Sequence, residues 1–298
     1  MAGSLRRSGP AAQKKKQHRL VKRLSRLFWN VLFRAASRLS SRPVCGGDGP
    51  VVSLTTYGTR LQQVHLAIES VAWGRVRPGR LILWLDEPAA LAALPASLIR
   101  LQARGLEILP CPDYGPHKKY FPFVSGEVLD RPLVTADDDT LYPPGWLRDL
   151  LAAHRQTPDC VVAHKGKQVR LQAGQLAPYL DWPHYTGREA SICNVAVGAG
   201  GVLYPAPFLA VLKQAGEGFM QCCPATDDLW LHLQALRNGY RVRLISASPA
   251  HFPVIAGSQP AGLYRRLNRA GGNDAVIARL YGPPERALLQ AALARLAG

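Results

Sequence analysis

Three adjacent carboxylates, Asp137, Asp138 and Asp139, follow the apolar run Leu133-Val134-Thr135-Ala136. Like charges this close repel, and holding them where a buried strand ends is costly unless a cation or strong donors compensate. Hard divalent ions take carboxylate oxygens and complete their shells with water and phosphate. A strand-terminal Asp-x-Asp therefore suits Mn²⁺ or Mg²⁺ holding a diphosphate. The same tripeptide equally suits an acidic turn capping a helix that starts near Trp146, and on its own it leaves the two readings level. A second acidic pair, Asp227-Asp228, follows Thr226. Read alone, it is an N-cap with acids placed favourably for the helix dipole. The pair Lys118-Lys119 reads alone as solvated surface, and the lone His251, between Pro249 and Pro253, as a hydrogen-bonded core or surface side chain.

These residues need a scaffold, and the pattern around them predicts one. Val51 to Thr55, Leu81 to Leu85, Leu106 to Leu109, Arg131 to Thr135 and Arg241 to Ile245 read as short strands. Residues 61–74 and 89–104 carry apolar positions at helical spacing, with Leu61, Val64, Ile68 and Val71 on one face of the first. Strands alternating with helices predict an α/β fold with a largely parallel sheet covered on both sides. Ligands of such sheets bind beyond the carboxyl ends of the strands. That singles out Thr55 to Arg60, Asp86 and Glu87, and Asp137 to Asp139.

The order of these motifs resembles that of glycosyltransferases with the GT-A fold, particularly the inverting family 2-like enzymes of bacteria, over most of residues 50–255. The stretch Val52-Ser53-Leu54-Thr55-Thr56 looks like the family's first strand, whose following loop touches the nucleotide. The resemblance thus implies donor contacts for Thr55, Tyr57 and Arg60. It implies a base contact for Asp86, and a phosphate role for Lys118 or Lys119 in the segment Gly115 to Tyr120. The acidic triplet matches the family's DxD region, implying Asp137 and Asp139 as metal ligands, Asp137 also as a ribose contact, and Asp138 beside the donor. Gly198 to Pro205 resembles the glycine loop that borders the donor sugar, which places Gly200 and Gly201 there. Ala225 to Trp230 resembles the family's Glu-Asp motif, with Asp for Glu at the first position. It implies Asp228 as the base that deprotonates the acceptor and Asp227 as its supporting acid. His251 matches a C-terminal histidine that is a metal ligand or phosphate contact.

The net charge is +17, and residues 1–47 alone supply twelve of the 37 Lys and Arg and none of the 20 acids. Residues 1–17, with Lys14-Lys15-Lys16 among Gly, Ser, Pro and Gln, read as disordered. Over 18–40, Leu20, Val21, Leu24, Leu27, Phe28, Val31 and Leu32 recur at helical spacing among Arg19, Lys22, Arg23, Arg26 and Arg34. The longest uncharged apolar piece, Leu27 to Phe33, has seven residues, too short to span a bilayer or form a signal peptide. A basic amphipathic helix lying on an anionic membrane is the favoured reading, each surface Lys or Arg adding roughly 1 kcal/mol. A helix packed on the protein's own body is the alternative, and an organellar transit peptide shares the composition. Nucleic acid is not expected, for want of interleaved aromatics or a known module.

The apolar fraction of 47% and charged fraction of 19% are ordinary globular values. The six cysteines form no CxxC pair, which suits a reducing compartment. The expectation is a basic tail and helix over 1–47 and a GT-A domain over 48–298. The protein would sit in the cytoplasm, peripheral on the inner face of the membrane, and move a sugar from a nucleoside-diphosphate donor to a glycan or lipid-linked acceptor. A retaining enzyme, or a non-catalytic membrane-associated scaffold that binds the nucleotide sugar, are the alternatives. A nucleotidyltransferase is disfavoured, because Thr56 to Arg60 carries one glycine where that class has a Gly-rich phosphate loop.

Overall fold

The structure is a computed structural model that describes the backbone of residues 10–245, 252–257 and 272–297, with side chains from residue 24 to 296 in those ranges. A long helix, α1 (Pro10–Leu39), opens the chain. It begins in the stretch expected to be disordered; Pro10 sits at its first position, and Ala11, Ala12 and Gln13 favour helix. The body then alternates: β1 (Val51–Thr55), α2 (Val64–Ala72), β2 (Arg80–Leu85), α3 (Pro88–Ala92), α4 (Ala96–Gln102), β3 (Leu106–Pro110), α5 (Phe121–Gly126), β4 (Leu133–Thr135) and α6 (Trp146–Gln156). The helix expected over 89–104 is two, because Pro95 lacks the amide that a continuous helix would need. The helix expected from 61 is a 3-10 turn, Gly58–Gln62, followed by α2.

Beyond α6 come β5 (Val161–Ala163), β6 (Gly166–Gln168), the small hairpin β7 (Leu171–Gln172) and β8 (Gln175–Leu176), β9 (Asn194–Ala196) and β10 (Val202–Tyr204). The chain closes with α7 (Ala206–Ala215), α8 (Phe219–Cys222), α9 (Asp227–Arg237), β11 (Val242–Leu244), α10 (Gly272–Leu280) and α11 (Pro283–Ala297). Seven strands make one sheet in the order β11-β5-β10-β4-β1-β2-β3. Its pairings are parallel except those of β10, which runs against both β4 and β5. The carboxyl ends of β1, β2, β4, β5 and β11 therefore share one edge.

Alternate strand residues feed two cores, as the pleat requires. Val52, Leu54, Leu81, Leu83, Val134 and Leu203 pack under α2, α4 and α6. Val51, Ile82, Trp84, Leu133, Val202 and Tyr204 pack under α5, α7, α9 and the last two helices. A buried ion pair fastens the first layer: Arg104, just after α4, binds both carboxylate oxygens of Glu69 on α2 and donates its Nε–H to Arg42 O at 2.7 Å. The six cysteines are free thiols.

Candidate active site at the carboxyl edge of the sheet

The acidic triplet lies where β4 ends, and it caps nothing. The cap position of α6 is Gly145, with no side-chain cap bond. Each aspartate instead meets a cation, Arg60 serving two of them and Lys119 the third. Asp138 is buried; its Oδ2 accepts from the Thr56 hydroxyl at 2.7 Å and its Oδ1 from Arg60 Nη1 at 2.7 Å. The other guanidinium nitrogen of Arg60 lies 3.1 Å from Asp139 Oδ2. Lys119 Nζ sits 2.5 Å from Asp137 Oδ1. The backbone turns sharply because the Asp137 amide donates to the buried Tyr142 hydroxyl at 2.7 Å.

The acid pair opens α9, and its geometry goes beyond capping. Thr226 makes no side-chain cap bond. Asp227 Oδ2 is 3.8 Å from Lys119 Nζ, so one ammonium lies between the two acidic clusters. Asp228 Oδ1 accepts from the Gly198 amide at 3.0 Å. Burial and then the charge of Asp227 push the Asp228 carboxyl up to about 8, against the opposing pull of Lys119. Burial lowers the Lys119 ammonium, yet Asp137 and Asp227 more than reverse this and hold it charged.

His117 fixes that ammonium in place. Fully buried, it is stacked on Phe219 with ring centroids 4.0 Å apart. Its Nε2–H donates to Cys223 O at 2.9 Å, which leaves Nδ1 to accept from the Tyr120 hydroxyl at 3.2 Å. Gly115, at φ +55°, passes so close to Pro224 O that a Cβ would lie 2.7 Å from it. The 3-10 turn Gly115–Lys119 is thus clamped to the segment that leads into α9.

The glycine loop reaches the same edge. Gly201 has φ +84°, and a Cβ there would lie 2.4 Å from the Trp146 ring. Trp146 Nε1–H donates to Gly200 O at 2.8 Å. A Cβ on Gly200 would press on the stem of Lys165 at 3.0 Å. Lys165 follows the end of β5, and its ammonium lies 5.7 Å from the Phe252 ring centroid. Burial lowers its pKa, and the charges of Asp137 and Asp139, within electrostatic reach, only partly offset this.

Other expected contacts lie apart from this cluster. The Thr55 hydroxyl donates to Trp84 O at 3.0 Å within the sheet, so Thr56 is the threonine that reaches the triplet. Tyr57 is exposed and faces the Arg60 guanidinium at 5.5 Å. Lys118 is buried and lies 2.6 Å from Asp86 and 3.2 Å from Asp113, so geometry leaves Lys119 as the lysine beside the acids. His251 lies outside the described residues. Sequence reasoning singled out the loop that holds Thr56 but gave that residue no role, and it assigned none to His117, Tyr142 or Lys165. Lys165 follows a buried strand, as Asp86 and Asp137 do, and the same rule could have found it.

Whether this donor set fits a divalent cation is a question of charge. Among the described residues no three His, Cys, Asp or Glu side chains form a metal cage. Mg²⁺ and its relatives, however, bind through one or two carboxylates plus substrate phosphates. Burial and then the charge of Asp137 raise Asp139 to about 6 despite Arg60, so negative charge there is under-compensated. That fits a cation arriving with its phosphates at Asp137 and Asp139. Asp138, bonded through both oxygens, is an anchor.

Neither a family model nor a curated protein matches the chain. Among solved structures it is similar to S. aureus TarS 1-349, at 14% identity and a TM-score of 0.44 over 67% of this chain. The chain spans 58% of that TarS chain. It is also similar to the mannosyltransferase PcManGT from Pyrobaculum calidifontis in complex with GDP-Man and Mn²⁺, at 13% identity and a TM-score of 0.49. That match covers 93% of this chain and 85% of the other.

Proposed function

We propose that the protein is a glycosyltransferase that moves a sugar from a nucleoside-diphosphate donor to a hydroxyl of a glycan or lipid-linked saccharide, with inversion. One observation carries the reading: Lys119 stands between Asp137 and Asp227, joining a strand-end acid cluster to a second acid pair far away in sequence. The first cluster suits a diphosphate and its cation. The second supplies a carboxylate whose raised pKa suits proton abstraction near neutral pH.

Asp137 and Asp139 would hold Mn²⁺ or Mg²⁺, which when bound neutralises charge on the departing diphosphate. Lys165 and Arg60 bring further positive charge to the same edge. The Gly198 amide orients Asp228 through Oδ1. From there Asp228 takes the proton of the acceptor hydroxyl as that oxygen attacks the anomeric carbon, and the nucleoside diphosphate leaves from the opposite face. Gly198 leaves the space beside Asp228 and Lys119 free of a side chain, while Gly200 and Gly201 let the loop close on Lys165 and Trp146.

The test is a thermal-shift screen of nucleoside diphosphates and their sugars, GDP-mannose included, with and without Mn²⁺. A selective, metal-dependent stabilisation that Asp139→Ala abolishes is the expected result. A screen with no hit at millimolar ligand would overturn the reading, and a product that keeps the donor's anomeric configuration would overturn inversion.

A further inference from the structure

Helix α1 carries two apolar faces, and only one touches the body. Phe33 and Ala36 are buried, and Trp29 joins Phe33 in a cluster with Leu66 and Ala67 of α2, Leu141 and Ile255. None of these three belongs to the apolar series that runs from Leu20 to Leu32. Of that series, Leu24, Leu27, Phe28 and Val31 are 56–61% exposed. Their spacing of three and four places them on one stripe roughly opposite Phe33, about 10 Å long at about 1.5 Å per residue. Single exposed apolar residues are ordinary on a surface, but a contiguous stripe marks a contact.

The helix also has a direction relative to the site. Its C-terminal end lies at the amino edge of the sheet: Arg100 Nε–H donates to Ser37 O at 2.8 Å, and the Val44 amide to Arg104 O at 2.9 Å, just before β3 begins. One turn earlier, at Phe33, it meets the carboxyl edge. Ile255, packed with Phe33, donates its amide to Asp139 O at 2.8 Å. Going back from Phe33, the helix therefore runs out past the rim that carries the acids. From Trp29 to Pro10 it extends about 28 Å further.

We propose that this projecting part of α1 is a docking surface for an anionic lipid membrane, seated through Leu24, Leu27, Phe28 and Val31. Charge decides the occupant. Residues 1–47 hold twelve Lys and Arg and no acid, and Arg26, Arg34 and Arg38 are exposed on the helix itself. A second copy would bring the same charge and repel, whereas anionic headgroups complement it. Among the described residues no helix is long and apolar enough to cross a membrane, so the helix lies on the surface. Docked this way, the helix lies along the lipid plane and the carboxyl edge, past which it runs, opens beside that plane. On the transferase reading above, that gives a lipid-linked saccharide direct access to Asp228, but vesicle binding itself does not depend on that reading.

The experiment is co-sedimentation of the full chain with vesicles of phosphatidylcholine, alone or with phosphatidylglycerol. The comparison is a variant carrying Leu24→Ser, Leu27→Ser, Phe28→Ser and Val31→Ser. These side chains are exposed, so circular dichroism and melting temperature should stay unchanged. The expected result is binding to the anionic vesicles only, weakened by salt, and at least about tenfold weaker in the variant. A chain that stays in the supernatant with anionic vesicles, or a variant that binds as well as the parent, would overturn the proposal. So would light scattering that finds a dimer in the parent and a monomer in the variant, since a second copy would then occupy the stripe. Nucleotide-sugar binding that persists after any of these results leaves the transferase reading standing alone.

Discussion

The Gly198 amide holds Oδ1 of Asp228 at 3.0 Å, so the glycine loop and the acid pair act as one unit. Asp228→Asn keeps a carbonyl oxygen for that amide but cannot take a proton. It should fold normally, bind donor within about twofold of the parent, and lose about 10²–10⁴-fold in kcat. Steady-state kinetics with donor-affinity measurements checks this. A kcat loss below tenfold would remove Asp228 from the base role.

The raised carboxyl of Asp228 also has a pH signature. Its folded-state pKa, about 8, lies above the ordinary carboxylate value of 3.8. Between those values the folded protein binds more protons than the unfolded chain, so stability falls as pH rises through the window. Melting temperature should decline from about pH 5 to pH 8, and less so in Asp228→Asn. Activity should move the other way, with kcat/KM climbing toward alkaline pH as the acid pair loses its shared proton. Identical melting profiles for parent and variant would contradict the burial of this group.

Lys119 supports both clusters, and its removal should show it. Lys119→Met leaves Asp137 and Asp227 facing each other without the ammonium between them. The pair is 16–19% exposed, so breaking it should cost somewhat less than the roughly 3–5 kcal/mol of a fully buried pair, readable by urea denaturation at neutral pH. Lys119→Met with Asp137→Asn should recover part of the loss, a coupling that a double-mutant cycle measures. Additive effects would mean that the two groups do not meet in solution.

Most of the scaffold was legible because buried strands announce themselves as short β-branched or leucine runs and because the site follows their ends. Thr55 and Thr56 show where that legibility stops. Adjacent residues on a strand point to opposite sides, yet nothing in composition says which hydroxyl turns to the neighbouring carbonyl and which to Asp138. Lys118 and Lys119 look alike in sequence, but the 3-10 turn sends one to Asp86 and the other to Asp137. His117 and Tyr142 act through partners more than a hundred residues away or through the backbone of the triplet, relationships that only the closed fold creates. The division of α1 into a body face and an exposed stripe was equally hidden, since both faces are simply apolar in the sequence.

Two glycines of one loop should fail in different ways. Gly201 sits at φ +84° against the fully buried Trp146 ring. Gly201→Ala adds backbone strain of about 1–3 kcal/mol to overpacking of about 1–3 kcal/mol, so denaturation should show a loss near the sum of the two. Gly198 has no positive φ, and the nearest atoms to a Cβ there would be the Asp228 carboxylate at 3.1 Å and Lys119 Nζ at 3.8 Å. Gly198→Ala should therefore cost about 1 kcal/mol or less, because a carboxylate tip can shift where an indole cannot. The same shift moves the base off the acceptor proton, and misplacement on the ångström scale can cost on the order of 100-fold in rate. Melting temperature paired with kcat for the two variants separates these effects. Equal stability losses, or full activity in Gly198→Ala, would mean that the loop does not position Asp228.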